Sequence, residues 1–304
     1  MKAGAREAKG PALMLLMRSG ARLADVIALT KPRIVAMVLV ATAFGFLMAP
    51  GHSEDWGLML ATLAGTLLVG GGGNALNQYL ERDTDRLMAR TAGRPLPAGR
   101  MEARAVLIGG LAASGAGVAI LAAAATWLAA LIAITVVVTY VVCYTPLKAR
   151  TELNTLVGAV PGALPPVLGW AAATGSLGPG ALALFLIMFV WQLPHFFSIA
   201  WLYKADYASA DLPMLTVIDP DGNRTRRQLV LYGGVMVPVS LYPAVIGLAG
   251  PVYFFGALAL SGVYFAAALG LVLRSSPATA RLLLRVSLIY LPMLFALMLY
   301  DSAP

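Results

Sequence analysis

Asn77, Glu81 and Asp85 recur at four-residue intervals just after an apolar stretch (57–76), and open a segment dense in charge, NQYLERDTDRLMARTAGRPLPAGR (77–100). If the helix of the apolar stretch continues through them, each member turns roughly 40° from the last and all three share a face. One amide and two carboxylates on one face supply the oxygen donors that Mg²⁺ takes, usually beside waters and substrate phosphates. Arg86, Arg90 and Arg94 repeat the same spacing and offer planar forks suited to a diphosphate. Asp83 falls off the ladder's face, where it can orient Arg86. A solvated, salt-bridged loop is the bland alternative. Against it, acids and arginines at the mouth of an apolar helix are costly to hold without a bound charge.

Two further segments carry candidates. YTPLKARTELNT (144–155) sets Tyr144, Lys148 and Arg150 at the end of another apolar run; the alternative is that these charges only fix topology. In WQLPHFFSIAWLYKADYASADLPML (191–215), a continued helix would align His195, Ile199, Leu202 and Asp206, with His195 roughly 16 Å deeper than Asp206. A histidine at that depth either bonds within a bundle or touches a ligand. Lys204 adds a cation beside Asp206. Trp170, Trp191 and Trp201 read as interfacial anchors or packing groups.

The elements that must position these residues are membrane helices. The 304 residues are 60% hydrophobic and 12% charged, with a mean hydropathy of +0.81, beyond what a soluble domain can hide. The fold class is all-α and polytopic. Nine apolar segments are expected: 34–49, 57–76, 105–123, 125–143, 155–173, 181–201, 229–248, 252–273 and 283–300. The first is short of the usual span of about 20 residues unless Ile27–Leu29 joins it. Residues 1–26 read as a cytoplasmic N-terminal tail, and 27–304 as one membrane domain. All 22 lysines and arginines can be placed on one side, whereas the opposite connections hold Glu54 and Asp55 but no lysine or arginine. That asymmetry puts the N-terminus in the cytoplasm and the C-terminus outside, as in a bacterial plasma membrane. Because the bases sit in short loops between apolar runs, the net charge of +8 argues for a bilayer and against nucleic acid. The lone Cys143 excludes an intramolecular disulfide, and with only His52 and His195 a multi-histidine metal site is excluded. Pro161, Pro165, Pro166 and the run Gly70–Gly73 are expected to kink or loosen their helices beside a cavity. Two four-helix groups around a central cavity, open to the cytoplasmic side, are the expected architecture.

Over essentially its whole length the chain resembles the UbiA superfamily of intramembrane prenyltransferases. The family's first motif, Asn-x3-Asp-x3-Asp, is matched by Asn77, Glu81 and Asp85, with Glu81 keeping the carboxylate. Its second, Asp-x3-Asp, is matched only at Asp206, since Leu202 stands at the earlier position. LTKPR (29–33), NQYLERDTDRLMARTAGRPL (77–96), YTPLKARTELNTLVGAVPGALPP (144–166), WQLPHF (191–196) and DYASADLPML (206–215) resemble the haem-prenylating branch. The resemblance implies nine transmembrane helices and a Mg²⁺-dependent reaction. In it, farnesyl diphosphate gives its farnesyl group to the 2-vinyl group of haem B, and haem O is produced. It also implies catalytic roles for Asn77, Glu81 and Asp85, and metal binding by these three with Asp206. Substrate contacts fall to Arg86, Arg90, Arg94, Tyr144, Lys148, Arg150 and Lys204, and haem contact to His195. A haem-modifying enzyme or an oxidase-assembly factor is the implied protein partner. The alternatives are a UbiA-type transferase for an aromatic or quinone precursor, a transporter of an anionic solute, and an assembly subunit.

Overall fold

The computed structural model describes residues 23–51 and 55–302, almost all of them helical. Most of the expected cytoplasmic tail (1–26), with His52 and Glu54, lies outside the described residues. Helix α1 (Leu23–Thr30) and helix α2 (Pro32–Leu47) meet at 49°. The bend has a local cause. Pro32 is well suited to a first helical position but keeps the residue before it out of the right-handed helical region, and Lys31 takes a left-handed conformation, φ 52°.

The long helices follow: α3 (Trp56–Leu87), α4 (Ala103–Ala124), α5 (Trp127–Leu147), α6 (Asn154–Thr174) and α7 (Pro179–Leu202). Short α8 (Lys204–Ser209) and α9 (Leu215–Ile218) lead to α10 (Asn223–Val245), α11 (Pro251–Leu273) and α12 (Pro277–Tyr300). Eight of these are long and apolar enough to cross a membrane, and the bent α1–α2 pair makes up to nine among the described residues. The chain is a multi-pass membrane protein. Side chains such as Leu60, Leu111, Phe255 and Leu273 point outward, as a lipid-facing surface requires. Trp170 and Trp191 pack inside the bundle, whereas Trp56 (63% exposed) and Trp127 (72%) begin helices at its surface. Those two positions suit interfacial anchors.

Two expectations are corrected. Gly70–Gly73 does not loosen α3, which runs unbroken through it. A Cβ at Gly72 would collide with the Ser114 hydroxyl and the Gly110 carbonyl of α4, so the glycine permits close backbone approach and rigidifies the pair. Nor does one helix carry both His195 and Asp206: α7 ends at Leu202, Tyr203 leaves helical geometry, and α8 starts afresh. Tyr207 of α8 is buried in a cluster with Met88, Leu212 and Met214, which draws this turn onto the end of α3. Pro161, Pro165 and Pro166 lie inside α6 as expected.

The helices form two packed groups, α2–α6 and α7 with α10–α12, joined through α6 and α7. At one end an Arg224–Glu152 ion pair ties the α5–α6 loop to α10. At the other, the Thr126 hydroxyl donates to the Ala171 carbonyl at 3.0 Å, and the Gly250 N–H donates to Asp301 O at 2.8 Å.

Asp219 caps α10, accepting from the Thr225 N–H at 2.8 Å and the Thr225 hydroxyl at 2.9 Å. Burial pushes its carboxyl up, but the bonds from Thr225 and the Arg224 backbone and charge outweigh this and hold it below the usual carboxylate range. Its stabilisation is therefore complete above the unfolded pKa of about 3.9 and is lost as pH falls through the lower folded value. Asp219→Ala is expected to lower stability at neutral pH by about 1 kcal/mol. In thermal unfolding of detergent-solubilised protein, its gap to the wild type should close in strong acid.

Candidate active site

The site begins with amides of α3 that grip the end of α1. Asn74 Nδ2 donates to the Thr30 carbonyl at 3.0 Å, and Gln78 Nε2 to the Leu29 carbonyl at 2.8 Å. These are carbonyls that a helix end leaves without intrahelical partners. The grip delivers Lys31, at the left-handed turn, onto the ladder: its Nζ donates to Asn77 Oδ1 at 2.8 Å.

Because α3 continues to Leu87, Asn77, Glu81 and Asp85 do share a face, and all three are buried. Each meets a cation. Glu81 Oε1 lies 2.9 Å from Lys148 Nζ, and Asp85 Oδ2 lies 2.6 Å from Arg94 Nη1. Arg94 also stands 4.0 Å from Glu81. Asn77 Nδ2 donates to the Thr145 hydroxyl at 3.1 Å. The Thr145 and Lys148 partners come from the end of α5, whose Val138–Tyr144 stretch is a π-helix. Such insertions recur at functional sites because they re-aim the next side chains. Within it Tyr140 and Tyr144 stack with centroids 5.8 Å apart, and the Tyr140 hydroxyl donates to Asn74 Oδ1 at 3.2 Å.

A cavity of about 210 Å³ opens here, lined by Glu81, Thr84, Asp85, Thr145, Lys148 and Leu212 among others. Burial opposes the Lys148 ammonium, but the neighbouring Tyr144 and Glu81 raise its pKa above the ordinary lysine value, so it stays charged. Asp85 Oδ1 is buried with no hydrogen-bond partner. A buried carboxylate oxygen in that condition is expensive, and an oxygen-preferring cation such as Mg²⁺ fits the donor set of Asn77, Glu81 and Asp85.

The remaining candidates divide. Arg90 lies over the Tyr203 and Tyr207 rings at 4.9 and 5.7 Å, beside the end of α3. Arg86 faces outward and pairs with exposed Asp83 at 3.4 Å. Arg150 and Lys204 are exposed and do not line the cavity. Asp206 sits on α8, outside the cavity lining, and among the described residues no three His, Cys, Asp or Glu side chains gather as a metal cluster. His195 lies on α7, bonded to Ser287 of α12. Thr145, Tyr140 and Lys31 join the ladder without having been singled out from the sequence.

The chain belongs to the UbiA prenyltransferase family, whose profile matches residues 38–295. The fold agrees: a digeranylgeranylglyceryl phosphate synthase superposes with a TM-score of 0.78 at 14% identity, covering 92% of this chain and 98% of the other. A UbiA homologue from Archaeoglobus fulgidus bound to DMAPP and Mg²⁺ gives 0.63 at 17% identity, covering 90% and 99%. Closer in sequence is the protoheme IX farnesyltransferase of Solibacter usitatus, 44% identical over 286 residues, 91% of this chain and 98% of that one. The protoheme IX farnesyltransferase of Koribacter versatilis is 41% identical over 290 residues, 92% of this chain and 93% of its own.

The two arginines make a direct comparison. Arg94→Ala should reduce kcat/KM for prenyl transfer by about 10²-fold or more, the scale for losing a charge-stabilising donor. Arg86→Ala should leave it within a few-fold. Equal losses in steady-state kinetics would mean that the outward-facing arginine also reaches the diphosphate.

Proposed function

We propose that this chain transfers the farnesyl group of farnesyl diphosphate to the 2-vinyl group of haem B, producing haem O. The observation that carries this reading is the buried ladder facing three cations: Asn77 with Lys31, Glu81 with Lys148, and Asp85 with Arg94. Full-length relatives at 41–44% identity, named for that reaction, supply the substrates.

Asn77, Glu81 and Asp85 would hold Mg²⁺. When bound, it neutralises charge gathering on the leaving diphosphate. Carboxylates committed to a metal would free Lys148 and Arg94 for the diphosphate oxygens, with Lys31 beside them. The C1–O bond of farnesyl diphosphate breaks and its electron pair leaves with the diphosphate. Preorganised cations stabilise that departing charge more than they stabilise the intact substrate. Apolar walls keep water from the allylic cation while it forms. The vinyl π pair then closes on C1, and a water oxygen adds to the resulting cation, losing a proton. His195 contacts the haem. The bases and the ladder crowd one end, which supports a cytoplasmic opening in a bacterial plasma membrane, with the N-terminus inside and the C-terminus outside.

Purified protein given haem B, farnesyl diphosphate and Mg²⁺ should yield haem heavier by one farnesyl group plus one hydroxyl group in mass spectra of the extract. Unchanged haem, with diphosphate released on supplying a quinone precursor instead, would keep the family and overturn the haem acceptor. Glu81→Gln and Asp85→Asn should each lose turnover by about 10²-fold or more while eluting as folded protein. Full activity in either purified variant would remove the metal-binding role of the ladder.

A further inference from the structure

His195 follows Pro194 inside α7. A proline there removes one helical N–H and disturbs the turn before it. The disturbed turn is held from two other helices. The Tyr264 hydroxyl of α11 donates to the Trp191 carbonyl at 2.6 Å. The Trp191 indole N–H donates to the Ser287 carbonyl of α12 at 2.8 Å. The same indole stacks on the His195 ring, with centroids 5.2 Å apart and planes 25° apart.

Ser287 supplies a second grip, through its side chain. Its Oγ lies 2.7 Å from His195 Nδ1 and 2.7 Å from the Leu284 carbonyl. Proton count decides the roles. A carbonyl has no proton to give, so the one hydroxyl proton of Ser287 goes to Leu284. The contact with Nδ1 then takes its proton from the imidazole. A neutral imidazole protonated at Nδ1 presents Nε2 as a bare lone pair. That Nε2 has no hydrogen-bond partner among the described residues and is not fully enclosed, and the ring is partly exposed.

We propose that Ser287 is a positioning residue that fixes His195 as the Nδ1-protonated tautomer, so that Nε2 binds the iron of the haem acceptor as an axial ligand. The inference rests on haem B being the substrate and specifies how it is seated. Metal-bound histidines nearly always donate their other ring N–H, which sets the ring's orientation and strengthens the ligand. Here the Ser287–Leu284 relay is that second partner, and Trp191 fixes the plane.

The test is resonance Raman of ferrous haem B bound to the full-length protein in detergent, reading the iron–imidazole stretching band. The wild type should show the band and His195→Gly should lose it, with added imidazole restoring it in the vacated space. Ser287→Ala should keep the band but at lower frequency, and Ser287→Thr, which retains the hydroxyl, should return it towards the wild-type position. A band unaffected by His195→Gly, or unmoved by Ser287→Ala, overturns the assignment. A wild type that farnesylates haem yet shows no such band overturns this inference alone, whereas one that binds no haem overturns the substrate reading beneath it.

Discussion

Ion pairing along one face of α3 is the constraint around which the bundle is arranged. Charges taken out of water lose several kcal/mol of hydration each, and only close partners return it. Glu81 and Asp85 are both buried, so their cations must arrive at contact distance from elsewhere in the chain. Lys148 comes from the end of α5 and Arg94 from the loop after α3, while Lys31, from the turn between α1 and α2, bonds the Asn77 amide. Three connections far apart in sequence are thereby committed to one place.

The geometry that meets this demand is built from unremarkable parts. Close packing at Gly72 lets α3 and α4 run side by side, and the unbroken α3 presents Glu81 and Asp85 at one cavity, with Asn77 one turn deeper on the same face. Amides at Asn74 and Gln78 close off the end of α1, and the proline after Lys31 sets the angle at which the lysine enters. A π-helix in α5 does the corresponding work for Thr145 and Lys148. In each case a local departure from regular helix places one side chain.

Much of this was legible in the sequence because it is periodic or compositional. The apolar segments marked the long helices closely, and four-residue spacing put Asn77, Glu81 and Asp85 on a common face. Which base meets which acid was not legible. Arg86, Arg90 and Arg94 look equivalent by spacing, yet α3 ends at Leu87, so only Arg86 lies on the helix and it turns outward to Asp83. Arg94 returns through the following loop to Asp85. The break at Tyr203 was hidden for a similar reason: it depends on Tyr207 being buried against Met88, a contact more than a hundred positions away in the chain. Lys31 was concealed because its importance lies in a backbone conformation, φ 52°, that no side-chain pattern announces.

The pairing of every ladder residue with a base has a bearing on the crowded solution outside. Inorganic phosphate is an abundant anion, and an array of free lysines and arginines would collect it. Here Lys148 and Arg94 are already engaged by carboxylates of the same chain. An anion arriving alone must leave Glu81 and Asp85 buried and unmatched, a heavy penalty in a low-dielectric setting. An anion that brings a divalent cation offers the carboxylates a replacement as it takes their partners. On the proposed reading, the resting site is therefore held shut by its own ion pairs against an anion that comes without a cation.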